Sequence, residues 1–173
     1  MLETLQIVWF VLIAILFTGF FFLEGFDYGV GMLLPLVKDE SERDQLIRSI
    51  APVWDGNEVW MITAGGAMFA AFPHVYATMF SAFYLALFLM LVALILRGAG
   101  FELRTRIDSE KWRTRWEWAI AFGSYVPAFL WGVVVTDLML GLPIIRDFQF
   151  SGTFFDLITP AAIVGGITFV AIF

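Results

Sequence analysis

The sequence has no cysteine and only one histidine, His74. Without cysteine there can be no disulfide, thiolate metal site or cysteine nucleophile. Haem iron is usually held by His or Met, and two haems cannot be built on one histidine. Met61, Met68 and Met90 read as ordinary packing or lipid-facing residues. The chain is therefore not expected to hold a haem set by itself. Basic residues are also few, ten against sixteen acidic ones, for a formal charge of −6. That balance excludes nucleic acid, which needs a basic footprint. No glycine-rich phosphate loop, G-x-S-x-G or H-E-x-x-H occurs, so a self-contained soluble-type enzyme is not supported.

Charge is missing altogether over long runs. Of the 173 residues, 61% are hydrophobic, including 20 Phe and 7 Trp. A soluble domain carries about 45–50% apolar residues, so the excess is expected to face lipid. A bilayer crossing needs about 20 apolar residues. Four segments qualify: from about Leu5 to Leu36, Val53 to Phe72, Val75 to Leu96 and Ala119 to Leu142. A fifth begins near Leu157 and is still apolar at Phe173, which points to a piece of a longer protein. The first run has no basic n-region and no A-x-A-like cleavage site, so it reads as a permanent span rather than a signal peptide. The expected fold is all-α: an integral membrane bundle of four transmembrane helices over residues 1–150, with the start of a fifth over 151–173.

Direction follows from Lys and Arg, which concentrate in cytoplasmic loops. Lys38, Arg43 and Arg48 follow the first span. Arg97, Arg104, Arg106, Lys111, Arg113 and Arg115 follow the third. These nine of the ten basic residues fall on one side, with Arg146 alone on the other. The basic loops are expected in the cytoplasm and the N-terminus outside. The polar stretch Gly98–Glu117, with Trp112, Trp116 and Trp118, reads as an interfacial connector. Arg97 reads as a span-end arginine snorkelling to headgroups. His74, beside Pro73, reads as an interfacial side chain at the outer turn.

The chemistry is expected where acids interrupt the spans. A central Asp costs about 2.5–3.5 kcal/mol on insertion scales, so such acids face protein or water and are functional candidates by default. Glu24 and Asp27, three apart, share a helix face late in a helix, where an acid opposes the dipole. Asp55 and Glu58 lie in the first turns of the second span, at similar depth. Four carboxyls at one depth on neighbouring spans suit proton movement, because burial and a neighbouring carboxylate both favour the protonated form. The plainer reading has Asp55 capping its helix with Glu58 joining it. Gly25 and Gly29 offer a surface for close helix approach, and Gly65–Gly66 reads as a packing surface, with a cofactor or lipid tail as the lesser alternative. Asp137, beside Thr136, suits either a second polar path or an interhelical hydrogen bond.

Two motifs carry a resemblance. Glu24-Gly25-Phe26-Asp27-Tyr28-Gly29-Val30-Gly31 resembles the G-F-D-x-G-V-G segment of subunit II of cytochrome bd-type quinol oxidases. Ser49-Ile50-Ala51-Pro52-Val53-Trp54-Asp55-Gly56-Asn57-Glu58-Val59-Trp60 resembles that family's S-I-A-P-x-W-D-G-N-x-V-W segment, and Ile62–Ala67 and Trp112-Arg113 match as well. The resemblance implies a haem-free subunit of a respiratory oxidase in a bacterial or archaeal cell membrane. Haem b, haem d and the quinol site are then expected in a partner, subunit I, and a small single-helix subunit accompanies some members. A structural quinone is also associated with some members, though no residue here specifies one. The resemblance implies a proton pathway through Asp27 and Asp55, has an acid at Glu24 and is variable at Glu58. Members are about twice this length. Two other readings compete: half of a proton- or cation-coupled transporter, which predicts discontinuous helices and midplane acids, and a purely structural subunit whose acids cap helices.

Overall fold

The computed structural model describes residues 2–173 and is a bundle of α-helices with no strand among the described residues. The helices are α1 (Leu2–Leu33), α2 (Glu40–Ile50), α3 (Trp54–Ala71), α4 (Pro73–Ala82), α5 (Tyr84–Leu103), α6 (Glu110–Leu140) and α7 (Pro160–Ile172). A 3-10 turn, Leu34–Leu36, extends α1. Three helices, α1 with that turn, α5 and α6, are long and apolar enough to cross a membrane. The all-α membrane bundle expected from the hydropathy pattern is the observed fold, and the chain is a membrane protein.

The boundaries differ from the hydropathy reading in instructive places. The second expected span becomes α3, whose 18 residues reach about 27 Å at 1.5 Å per residue, and it is not among the three. The third expected span is two helices, since α4 ends at Ala82 and α5 starts at Tyr84. Phe83 turns the chain between them with φ −98° and ψ 17°. Hydropathy averages over such a break because both sides are apolar. The expected connector Gly98–Glu117 is mostly helix: α5 runs on to Leu103 and α6 opens at Glu110. Only residues 104–109 link them.

Lipid supplies little drive for helices to associate, so close van der Waals packing must do it. Glycines stand at each main crossing. A Cβ on Gly19 of α1 would sit 2.6 Å from the Trp60 ring of α3. One on Gly123 of α6 would lie 2.5 Å from the Arg97 Cβ of α5, and one on Gly100 of α5 would lie 2.5 Å from Ile120 of α6. Gly132 of α6 faces Gly165 and Gly166 of α7, and Gly31 of α1 faces Ser124 of α6. Gly25 and Gly29 face Phe173 of α7, so the close helix approach expected there is made. The aromatic core lies deeper, where Phe17, Phe20 and Phe21 of α1 surround the Trp131 ring at 5.3–6.0 Å.

At the basic end, α2 is capped by Asp39, whose carboxylate accepts from the Ser41 N–H at 2.7 Å. Ion pairs hold this end to the bundle. Arg104 donates to Glu117 at 2.9 and 2.7 Å and pairs with Asp44 at 2.7 Å. Arg43 reaches Glu117 at 3.1 Å, and Arg113 reaches Glu40 at 3.0 Å. Burial works against the Arg104 charge, but Glu117 and Asp44 outweigh it and hold its pKa above the ordinary arginine value. These pairs bring the two basic loops to the same end. Trp112 joins them, donating its indole N–H to the Leu103 carbonyl at 2.7 Å, while Trp118 is exposed.

At the opposite end, the segment after Gly141 (φ 92°) forms a small hairpin with Ile144 bridging Phe150. Thr153 and Asp156 cap each other there, and the hydrogen bonds from the Thr153 backbone and hydroxyl hold the Asp156 carboxyl below its usual range. Thr159 caps α7, accepting from the Ala162 N–H at 3.1 Å.

Candidate functional site: a buried acid cluster on one arginine

The site forms where α1, α3 and α5 meet. Glu24 and Asp27 lie one turn apart on α1, and both are buried. Their side chains face inward because the packed glycines and Tyr28 fix which face of α1 meets the bundle. Glu58 enters from α3, with its side chain 20% exposed. Arg97 enters from α5 and is fully buried. Its Nη1 donates to Glu24 Oε1 and, at 3.2 Å, to Glu58 Oε1. Its guanidinium also lies over the Tyr28 ring at 4.8 Å and the Phe101 ring at 5.6 Å, a cation–π arrangement. Asp27 accepts from the Asn57 amide at 2.7 Å, which ties α1 to α3 a second time.

Arg97 corrects its expected role. Hydropathy ends the third span at Leu96 and so leaves Arg97 at the surface. The helix continues for two more turns and carries the arginine into the core. Its position is fixed by backbone proximity, because Gly123 lets α6 press against the Arg97 Cα and Cβ. A signal did exist in the sequence. Three carboxyls on apolar helix faces need a cation, since buried charges must be paired. Of the arginines, Arg97 lies nearest to an uncharged span.

Three of the four expected acids therefore come together. Asp55 does not join them. It is exposed in the first turn of α3, and its carboxylate accepts from the adjacent Gly56 N–H at 2.8 Å. Val53 is the N-cap residue, with no side-chain cap. Glu58 does not join Asp55 in a cap either, but turns in towards Arg97.

The inner site is short of partners. Glu24 Oε2, the Tyr28 hydroxyl, Arg97 Nε and Arg97 Nη2 are buried with no hydrogen-bond partner among the described residues. Buried polar groups are normally satisfied by protein or by internal water. Donors and acceptors thus stand side by side in an apolar bundle. Asp137 is also buried and its Oδ2 is unpartnered among the described residues. Thr136 beside it packs onto Gly165 of α7.

The Gly65–Gly66 surface does not pack a helix. Both positions face open space on the side of a groove of about 660 Å³ between α3, α4, α5 and α6. Its walls are apolar and aromatic, including Phe69, Phe80, Phe83 and Trp131. Such a groove fits an isoprenoid or acyl tail better than a headgroup. His74 is exposed and stacks on Phe148 at 5.5 Å between centroids.

Fold and site together define a helical membrane protein with an ionisable core at one end. The sequence profile of the cytochrome bd terminal oxidase subunit II family matches residues 5–173, and the chain belongs to that family. It is 47% identical over 168 residues to the cytochrome bd ubiquinol oxidase subunit 2 of Bacillus subtilis (strain 168), covering 96% of this chain and 50% of that protein. It is 47% identical over 170 residues to the probable cytochrome oxidase subunit 2 of Haemophilus influenzae, covering 95% and 45%. It is 44% identical over 170 residues to the cytochrome bd-I ubiquinol oxidase subunit 2 of Escherichia coli (strain K12), covering 95% and 45%. The chain spans about half the length of the curated relatives it matches.

Proposed function

We propose that this chain is part of the haem-free subunit of a cytochrome bd-type quinol:oxygen oxidoreductase. In this reading it braces a haem-bearing subunit I and lines a cytoplasmic proton pathway. Quinol is the substrate of the complex, and oxygen is reduced to water in the partner, where haem b and haem d reside. Residues 1–150 form the first bundle and 151–173 open the next. The N-terminus lies outside and the basic loops lie in the cytoplasm. The observation that carries the proton reading is the meeting of Glu24 and Glu58 on one buried arginine, with Asp27 buried one turn from Glu24 and held by Asn57. Asp55 fits the same route as an exposed acid at its cytoplasmic mouth, one helical turn from Glu58. A structural quinone would find room for its tail in the groove beside Gly65 and Gly66.

The transporter reading predicts a broken helix at midplane acids. A break exists at Phe83, but it lies fourteen residues from Arg97 along the chain, about 20 Å on a helix. It leaves the acid cluster on continuous helices, so the oxidase reading is preferred.

The test is Asp27→Asn in the intact complex, with haem content and quinol-driven oxygen uptake followed together. Normal haem with uptake reduced about tenfold or more is expected, in the range that a positioned proton donor contributes. Normal uptake would reduce Asp27 to a structural acid. If both haem and uptake are lost, Asp55→Asn provides the same readout.

A further inference from the structure

The buried cluster does not treat its three carboxyls alike. Resting on the proton-pathway reading above, we propose that Arg97 holds Glu24 permanently as its counter-ion, and that Glu58 is the carboxyl that exchanges a proton at this site. Glu24 is a fixed charge that positions the arginine, and Glu58 is the moving part.

The argument is one of charge and access. One guanidinium stands among three carboxyls, so only one carboxylate can be neutralised by pairing. Stripping an ion from water costs several kcal/mol even after relaxation, and in an apolar bundle only a close partner offsets this. Glu24 has no exposure and no other cation within reach among the described residues, so its charge depends on Arg97. Its Oε1 accepts from Arg97 Nη1 with both side chains fully buried. Glu58 meets the same nitrogen at 3.2 Å, and its side chain retains 20% of its exposure. It can therefore leave Arg97 without stranding either charge, and it can reach water to collect a proton. Asp27 is buried but already has the Asn57 amide as a neutral partner.

The groups that bear on Glu58 are Arg97 from α5, Glu24, Asp27 and Tyr28 from α1, and Asp55 from its own helix. Apart from Arg97 and the neutral Tyr28 phenol these are carboxyl groups, so protonating Glu58 relieves repulsion within the site. The root of Arg97 is held in place, because Gly123 lets α6 press against its Cα and Cβ.

Infrared difference spectroscopy across a pH titration of the intact complex tests the proposal, because it reads protonated carboxyl groups without turnover. Glu58→Gln should remove one titrating carboxyl signal, whereas Glu24→Gln and Asp27→Asn should leave that signal in place. Persistence of the full signal in Glu58→Gln overturns the proposal, as does its loss in Glu24→Gln or Asp27→Asn. Glu58→Gln decides the matter alone if Glu24→Gln does not assemble, since the amide preserves size and a part-exposed position tolerates it. Oxygen uptake is measured on the same samples. If the infrared assignment holds while Asp27→Asn retains full uptake, the pathway reading fails and the division of roles within the cluster stands.

Discussion

Two ionic clusters stand one after the other along α5 and its C-terminal end, and they are built on opposite principles. At the basic end, Arg43 and Arg104 meet Asp44 and Glu117, two cations with two carboxylates, in contacts of 2.7 to 3.1 Å. Deeper in, a single arginine meets Glu24 and Glu58, with Asp27 one turn away. The outer cluster closes its own charge and docks α2. The inner cluster holds more carboxyls than one cation can satisfy. A balanced network has no electrostatic reason to bind a proton. An acid-rich one in an apolar setting favours proton uptake, because each proton lowers its charging cost. Ion pairs are thus informative by their balance rather than by their number.

The comparison can be broken by substitutions on either side. The largest effect is expected from Arg97→Met, which strands Glu24 as an uncompensated buried acid. Breaking a buried pair in this way costs about 3–5 kcal/mol, so thermal unfolding of the complex should begin markedly earlier. Little change would show that Glu24 is satisfied by something other than Arg97. Glu117→Gln at the outer cluster should cost about 1–3 kcal/mol, the usual loss for a charged hydrogen bond. Its oxygen uptake per haem should remain normal, and a fall in that quantity would remove the distinction between the clusters.

Packing offers a third probe. Gly132→Val forces α6 and α7 apart where Gly132 meets Gly165 and Gly166, with an expected cost of about 1–3 kcal/mol for overpacking. Protease sensitivity around residues 141–159 should rise, and unchanged sensitivity would contradict the tight crossing. The smallest effect concerns Asp156, whose carboxyl is held below its usual range by Thr153. A depressed folded-state pKa stabilises the ionised turn above the ordinary carboxylate range, and this is lost as pH falls through the folded value. Amide exchange at residues 153–156 should therefore accelerate, relative to its intrinsic rate, only in acid. Thr153→Ala should abolish that pH dependence while leaving the global transition unmoved.

Much of this was legible in the sequence, for identifiable reasons. Apolar runs and missing charge gave the helical membrane fold, because burial in lipid demands both. The pairing of Glu24 with Asp27, and the adjacency of the first two spans, followed from helical spacing and chain order. The break at Phe83 was invisible because it replaces one apolar stretch with two. Arg97 was misplaced because span ends were set by hydropathy, which counts an arginine as an exit even when acids are waiting for it inside. Asp55 and Glu58 could not be separated by spacing alone. Only the rotation of α3 leaves Asp55 exposed and turns Glu58 inward. The open Gly65–Gly66 surface was likewise undecidable, since small residues serve a packed helix and a groove equally well.

The most direct test of the account compares the two clusters within one preparation. Asp27→Asn and Glu117→Gln are assembled into the intact complex, and quinol-driven oxygen uptake is measured per haem for each. The account predicts uptake lowered about tenfold or more in Asp27→Asn, within the range of a lost proton-transfer group, and unchanged in Glu117→Gln. Equal losses in both, or a loss confined to Glu117→Gln, would contradict the claim that the unbalanced cluster is the one that moves protons.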